Sequence, residues 1–218
     1  MRTVATLTIL LLTGVTALAQ DAPLPVPPRY KVVANVEVYP QRTPKEALAS
    51  ALKAIEREKF DYLTAHLIDP RFVDARVEDR ARLIETEVDR DLRQVRTEQR
   101  QNPALVQLAE RLPDDPKLFA EDVAKEARLR AFRLVARDIR ANLLENPDSA
   151  KLLRQFLREG AFVDGGETST ATLKDQKDRS VFFRRVGDRW FVEDRQQPEA
   201  APAAPVPTPA PAPAPVKN

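Results

Sequence analysis

The sequence predicts an α+β fold that is mainly helical and ends in a small antiparallel sheet. Through the middle of the chain, apolar residues recur at steps of three and four, which is typical of amphipathic helices. From Glu167 onward apolar residues recur at every second position, and many of them are the β-branched and aromatic residues that favour strands. A sheet this apolar needs a cover, and the helices supply one. We therefore expect helices and sheet to form one domain.

The first nineteen residues have the order of a cleavable secretory signal peptide. Arg2 precedes an apolar run from Val4 to Val15, and Ala17-Leu18-Ala19 forms an A-x-A site before Gln20. The run is about a dozen residues, whereas a helix needs roughly 20 to span a bilayer. We expect cleavage after Ala19, with a retained anchor as the alternative. The location would then be periplasmic or extracellular.

Proline-rich segments flank the expected domain. Residues 20–29 form a short proline-rich linker, and residues 196–218 form an alternating Pro/Ala tail. Proline fixes φ and has no N–H, so such tracts form extended spacers and build no packed core. We expect the tail to be a disordered spacer. A single domain is then predicted over residues 30–195.

The domain begins with an alternating segment and a capped helix. Valines and alanines alternate with other residues from Tyr30 to Tyr39, which predicts a strand or an extended arm. Thr43-Pro44-Lys45-Glu46 then reads as a capping box with proline at the first helical position. This helix is expected to run to about Lys59. A second short helix follows from Phe60 and ends before Asp69-Pro70.

Two long amphipathic helices are predicted next. One begins at Val73 and ends near Asn102-Pro103, and its apolar stripe favours packing on its own domain over a coiled-coil seam. The other begins at Asp115-Pro116, with Asp115 as the cap, and ends at Asn146-Pro147.

A short helix and three strands complete the domain. The helix is expected to end at Gly160 as a left-handed C-cap residue. The strands are predicted over Glu167–Lys174, Ser180–Val186 and Arg189–Asp194, as an antiparallel meander with Gly187-Asp188 as a hairpin turn.

Charge and cysteine content exclude several classes of protein. The chain has 35 basic and 33 acidic residues, and loss of Arg2 with the signal leaves 34 basic residues, interleaved with the acids. Nucleic-acid binding needs segregated positive charge, so it is not expected.

The chain has no cysteine, so disulfides, thiol chemistry and a lipid-modified cysteine are excluded. After signal cleavage we expect no stable membrane insertion.

Two stretches resemble one known superfamily. The first is the Thr43-Pro44-Lys45-Glu46-Ala47-Leu48 helix with the segment from Phe60 to Pro70 that follows it, and the second is Val186-Gly187-Asp188-Arg189-Trp190-Phe191-Val192-Glu193-Asp194. Both resemble secreted domains of the nuclear-transport-factor-2-like (SnoaL-like) superfamily. The resemblance implies a cone of helices in a curved sheet, with a pocket at its open end. Residues 72–159 would then be a large helical insertion.

His66, the single histidine, is the main candidate for chemistry. With Asp61 and Asp69 nearby in sequence, it could act as a general base at a pocket rim. The alternative is a histidine on an exposed helix face, or a partly buried one bonded to a backbone carbonyl. No HExxH, GxSxG, GxGxxG or phosphate-binding loop occurs, so no cofactor or metal is expected.

Three weaker candidates have structural alternatives. Asp164-Gly165-Gly166-Glu167 suggests a calcium loop, but two carboxylates are too few and a turn is favoured. Trp190 and Phe183 could line a ligand pocket, although strand aromatics usually belong to the core. Arg184-Arg185 could contact an anion, or form a solvated strand face.

These observations favour an exported, non-catalytic domain that binds a protein or a small ligand. One alternative is a small pocket enzyme of the isomerase or hydratase type using His66. Another is a helical structural protein that self-associates through the long apolar stripes, which lie over Val77–Val95 and Phe119–Leu143.

Overall fold

The computed structural model describes residues 26–98, 110–174 and 176–194. The helices, in chain order, are α1 (Pro44–Glu56), α2 (Phe60–Tyr62), α3 (Pro70–Glu98), α4 (Pro116–Glu145) and α5 (Pro147–Glu159). The strands are β1 (Ala161–Asp164), β2 (Thr168–Leu173), β3 (Gln176–Val186) and β4 (Arg189–Val192). The mainly helical α+β class is confirmed. The expected signal peptide, the Pro/Ala tail and the helix end near Asn102 lie outside the described residues.

The predicted caps start α1 and α4. Thr43 Oγ1 accepts a hydrogen bond from the Glu46 backbone N–H at 3.1 Å, and Glu46 reaches back to the Arg42 N–H at 2.8 Å. Asp115 Oδ1 accepts from the N–H groups of Lys117 and Leu118. Each cap satisfies helix N–H groups that have no partner within the helix.

A π-helical turn, Leu63–Leu67, continues α2 directly and was not foreseen. Its last hydrogen bond runs from the Ile68 N–H to the Leu63 carbonyl at 3.1 Å, five residues back. All five side chains of the turn are buried, because it lies between α1, α3, α4 and β4.

The long helices α3 and α4 pack against each other in antiparallel fashion. Arg96 of α3 pairs with Asp114 just before α4, while Arg80 in the first half of α3 pairs with Asp138 near the end of α4. The α3 stripe is buried between them, so the preference for packing within the domain is correct for these residues. The buried members are Val73, Val77, Ala81, Val88 and Leu92 of α3, with Phe119, Val123, Ala127 and Phe132 of α4.

The sheet has four antiparallel strands in the order β1-β2-β3-β4, so the expectation of three strands was wrong. The missed strand, β1, has four largely exposed residues and therefore no alternating pattern to reveal it. Gly187 has φ +64°, as the predicted hairpin turn requires. α1 and α5 cover the sheet through a shared core that includes Leu48 and Phe156.

Gly160 is not the left-handed cap that the sequence predicted. Its φ of −66° and ψ of 135° are extended. A Cβ at this position would lie 2.3 Å from the Phe156 carbonyl oxygen, so glycine is required by close packing of the chain.

The strand expected over Tyr30–Tyr39 is absent. The alternation is real, because Val32, Ala34, Val36 and Val38 are half-buried and the residues between them are exposed. No strand in the described ranges pairs with the segment, which consists of turns and irregular chain with one short bridge between Arg29 and Val32. The segment packs on helices instead.

A strained turn anchors this segment. Tyr30 and Lys31 have φ of 52° and 65°, a region that side chains with a Cβ disfavour by about 1–2 kcal/mol per residue. The Tyr30 ring stacks on Phe132 at 4.4 Å between centroids, its hydroxyl donates to Asp74 at 2.6 Å, and Arg29 donates to the Ala65 carbonyl. These contacts offset the backbone strain.

None of the helices in the described ranges combines the length and the apolar character needed to cross a bilayer.

Thr43→Ala should lower the free energy of unfolding by about 1 kcal/mol, because the Glu46 N–H loses its acceptor. Urea unfolding followed by circular dichroism measures this. Thr43→Ser keeps the hydroxyl and is the matched control. Equal stability of the Ala variant and the unmodified chain would contradict the assignment of Thr43 as the cap.

Candidate functional site

A cavity of about 330 Å³ lies between the helices and the end of the sheet. α1, the π-helical turn, α3, α4, α5 and β4 all contribute to its wall, which is mostly aliphatic. The apolar lining residues are Leu48, Ala51, Ile55, Leu63, Ile68, Phe72, Val135, Ile139, Leu143, Leu153 and Val192. Leu48, Ala51 and Leu63 are almost fully buried, while several other lining residues are only half-buried.

The polar lining comes from the first half of α3, the second half of α4 and the two residues that follow β4. These residues are Arg76, Arg80, Asp138, Asn142, Glu193 and Asp194. Arg80 donates to Asp138 across the α3–α4 interface, and this bond holds the pKa of the Asp138 carboxyl below its ordinary value. The Arg76 guanidinium lies 5.1 Å from the centroid of the Phe72 ring. Desolvation raises the pKa of Asp194, and the charge of Arg76 opposes that shift.

Arg184 holds in place the part of the cavity wall that is formed by Val192 and Glu193. Its Nε donates to Glu193 Oε1 at 2.7 Å and lies 3.4 Å from Asp69 Oδ2. The Asp69 N–H also donates to the Val192 carbonyl at 2.8 Å. Asp69, the residue before α3, is thus joined to β3 by an ion pair and to β4 by a backbone hydrogen bond. The sequence had favoured a solvated face for Arg184-Arg185, which is wrong for Arg184 and holds for the exposed Arg185.

His66 is fully buried in the π-helical turn. Its Nε2 contacts the Val32 carbonyl at 2.9 Å, which makes Nε2 the protonated nitrogen, and Nδ1 is buried with no hydrogen-bond partner among the described residues. Burial lowers the pKa of the imidazole, so the ring is neutral at pH 7. The prediction that His66 lies on an exposed helix face is wrong. The predicted hydrogen bond from its ring to a backbone carbonyl is present.

The structure does not bring His66 and the two aspartates together in the cavity. Asp69 pairs with Arg184, and the exposed Asp61 lines a separate pocket of about 580 Å³ with Arg133 and Arg140. None of these three candidates is among the described residues that line the cavity.

Trp190 and Phe183 belong to the core between the sheet, α1 and α5. Both are buried, and neither side chain lines the cavity. Gln41 fixes the backbone of Trp190 by donating to its carbonyl at 2.7 Å, while the Trp190 N–H donates to the Gln41 carbonyl at 2.8 Å. Their role in this structure is packing.

The segment Asp164-Gly165-Gly166-Glu167 is the turn between β1 and β2. Asp164 Oδ1 accepts from the Gly166 N–H at 2.8 Å, and Gly166 has φ +86°. In the parts of the chain that the structure describes, no group of three or more metal-ligating side chains could hold an ion.

Sequence reasoning missed the cavity because its wall is assembled from residues between Leu48 and Asp194. The one local signal is on α3, where Phe72, Arg76 and Arg80 recur every four residues on one helix face. That spacing places Arg76 beside the aromatic ring of Phe72 and Arg80 one turn further along the same face. The pattern is too common on charged helices to identify a site by itself.

We compared the chain with protein-family models, with curated proteins and with solved structures, and nothing matched. The resemblance to the nuclear-transport-factor-2-like superfamily therefore stays a prediction.

The free energy of unfolding should fall as the pH is lowered through about 6.5, the ordinary histidine pKa. The unfolded chain binds a proton at His66 in this range and the folded chain does not, so stability rises with pH there, by at most ~1.4 kcal/mol per pH unit. Urea unfolding between about pH 7.5 and about pH 5.5 tests this. His66→Gln should remove this contribution to the slope, and an unchanged slope would contradict the argument.

Arg184→Met should lower the free energy of unfolding by about 3 kcal/mol, because it leaves the buried carboxylates of Asp69 and Glu193 without their cation. Arg185→Met, on the neighbouring exposed residue, is the matched control and should change stability by less than about 0.5 kcal/mol. Urea unfolding of both variants gives the comparison. Equal losses would show that Arg184 has no special role.

Proposed function

We propose that this chain is an exported, non-catalytic domain that binds a small apolar ligand in the cavity between α1, α3, α4, α5 and the end of β4. The cavity itself is the observation that carries the proposal. Its volume, about 330 Å³, lies at the lower end of the range that ligand sites occupy. The signal-like N-terminal sequence is the support for export.

The chemistry of the wall supports a ligand rather than water as the natural occupant. Protein interiors are normally packed as densely as organic crystals, and open apolar space forfeits dispersion contacts. Here five helical elements and a strand end leave aliphatic side chains facing open space. An apolar guest would supply the missing contacts and remove that surface from water.

Binding without turnover is supported by where the titratable groups lie. Asp138 is paired with Arg80, and Glu193 is paired with Arg184. His66, the residue best suited to proton transfer near neutral pH, lies outside the cavity lining with its ring bonded to a backbone carbonyl. Asp194 is the remaining carboxyl of the lining, and no histidine among the described residues lines the cavity beside it. The lining is therefore better suited to holding a ligand than to moving its protons.

Ala51→Met should weaken ligand binding at least about tenfold, because Ala51 is almost fully buried in the cavity wall and the longer side chain would occupy ligand space. The probe is N-phenylnaphthylamine, a neutral apolar dye that fluoresces when removed from water, titrated into the full chain. Ala75→Met, on an exposed face of α3 outside the cavity, is the matched control and should bind as the unmodified chain does.

A second variant that fills the cavity tests the same prediction in case Ala51→Met does not fold. Leu143→Phe changes a half-buried residue on a different helix of the same wall and should also weaken dye binding. Thermal unfolding confirms that each variant is folded. Undiminished dye binding by both folded variants, or no dye binding by the unmodified chain, would overturn the proposal.

A further inference from the structure

The charges at the cavity leave one cation and one carboxyl without a close ionic partner. Of the ionisable lining residues, Arg80 pairs with Asp138, and Glu193 pairs with Arg184. Arg76 and Asp194 remain, and no ion pair within 4.0 Å involves either of them among the described residues. Both line the cavity, and the charge of Arg76 opposes the rise in the pKa of Asp194 that desolvation causes.

Arg76 is placed to receive a ligand head group. It is exposed on α3, one turn after Phe72 and one turn before Arg80, so all three share the helix face that lines the cavity. The Phe72 ring lies against the guanidinium at 5.1 Å. That contact restricts the side chain while leaving its N–H groups available as donors.

The two remaining groups differ in how they can respond to a charged ligand. A bound anion would pair with Arg76. Asp194 could become neutral by taking up a proton, and the partial burial of its carboxyl already favours the protonated form. A bound cation would instead leave Arg76 facing it, and a guanidinium cannot lose its proton in a protein. The site therefore favours an anion over a cation.

A single negative charge suits the site better than two. Arg76 can offer two parallel N–H donors to one carboxylate, a geometry that a planar guanidinium matches well. A doubly charged head group would need a second free cation, and Arg80 is already bonded to Asp138. It would also lie near the carboxyl groups of Asp138, Glu193 and Asp194.

We propose that the cavity binds an aliphatic monocarboxylate, with the chain among the leucine, isoleucine and valine side chains and the carboxylate on Arg76. This inference rests on the proposed function and names the class of its ligand. At ~30 Å³ for each water-sized group, the volume accommodates roughly ten carbon atoms.

Isothermal titration of the full chain with decanoate, decanol and decylammonium at pH 7 tests the inference, because the three probes share a chain length and differ in head-group charge. Decanoate should bind about tenfold or more tightly than decanol, as expected for a charge-assisted hydrogen bond, and decylammonium most weakly. All probes are kept below the concentrations at which they form micelles.

Variants assign the preference to Arg76. Arg76→Gln should reduce decanoate binding to the level of decanol, and Arg76→Glu should make decylammonium the preferred probe. Asp194→Asn should keep or tighten decanoate binding. Arg90→Gln, an exposed arginine on α3 outside the cavity, is the matched control and should change nothing.

The outcomes separate this inference from the proposed function. If N-phenylnaphthylamine and decanol bind but decanoate binds no more tightly than decanol, or if both Arg76 variants keep the preference for decanoate, the monocarboxylate assignment is overturned and the apolar cavity site stands. If neither the dye nor any of the three probes binds, the proposed function fails, and the ligand assignment fails with it.

Discussion

The ion pairs of the half-buried Arg184 guanidinium are the interaction on which the arrangement of sheet and helices depends. This guanidinium is the cation shared by Asp69, just before α3, and by Glu193, just after β4. Both carboxylates are largely removed from water, and burying such charges is unfavourable unless they are paired. One side chain on β3 therefore joins the last strand to the start of the long helical pair. The cavity lies against that junction, because Val192, Glu193 and Asp194 form part of its wall.

How much of the fold could be predicted depends on whether the signal is local. Helix starts at Thr43 and Asp115 were predictable because each cap and its N–H partners lie within three residues. The Gly187 turn was predictable for the same reason. The π-helical turn was not, since its extra residue is accommodated by packing against four other elements. The Tyr30–Tyr39 segment shows that alternating burial does not by itself make a strand, because a strand also needs a neighbour with which to exchange hydrogen bonds.

The candidate site was less predictable than the fold. Residue type drew attention to His66 and Trp190, yet both are buried and neither lines the cavity. What makes the cavity is the meeting of residues far apart in the chain, such as Leu48 on α1 and Leu153 on α5, and single-sequence periodicity carries no information about such pairs. Arg76 illustrates the same limit. Its spacing from Phe72 is one found on many charged helices, and only the folded chain brings it to the same cavity as Asp194.

The strained turn at Tyr30 and Lys31 has a mechanical consequence. A force applied to the chain ahead of Arg29 reaches the fold first at this turn, where a stacked ring and the bonds to Asp74 and Ala65 resist it. These contacts tie the turn to α3, α4 and the π-helical turn. Because the backbone there is held in an unfavourable conformation, releasing it returns part of the energy of those contacts. The turn therefore acts as the first link to yield under tension, upstream of the domain core.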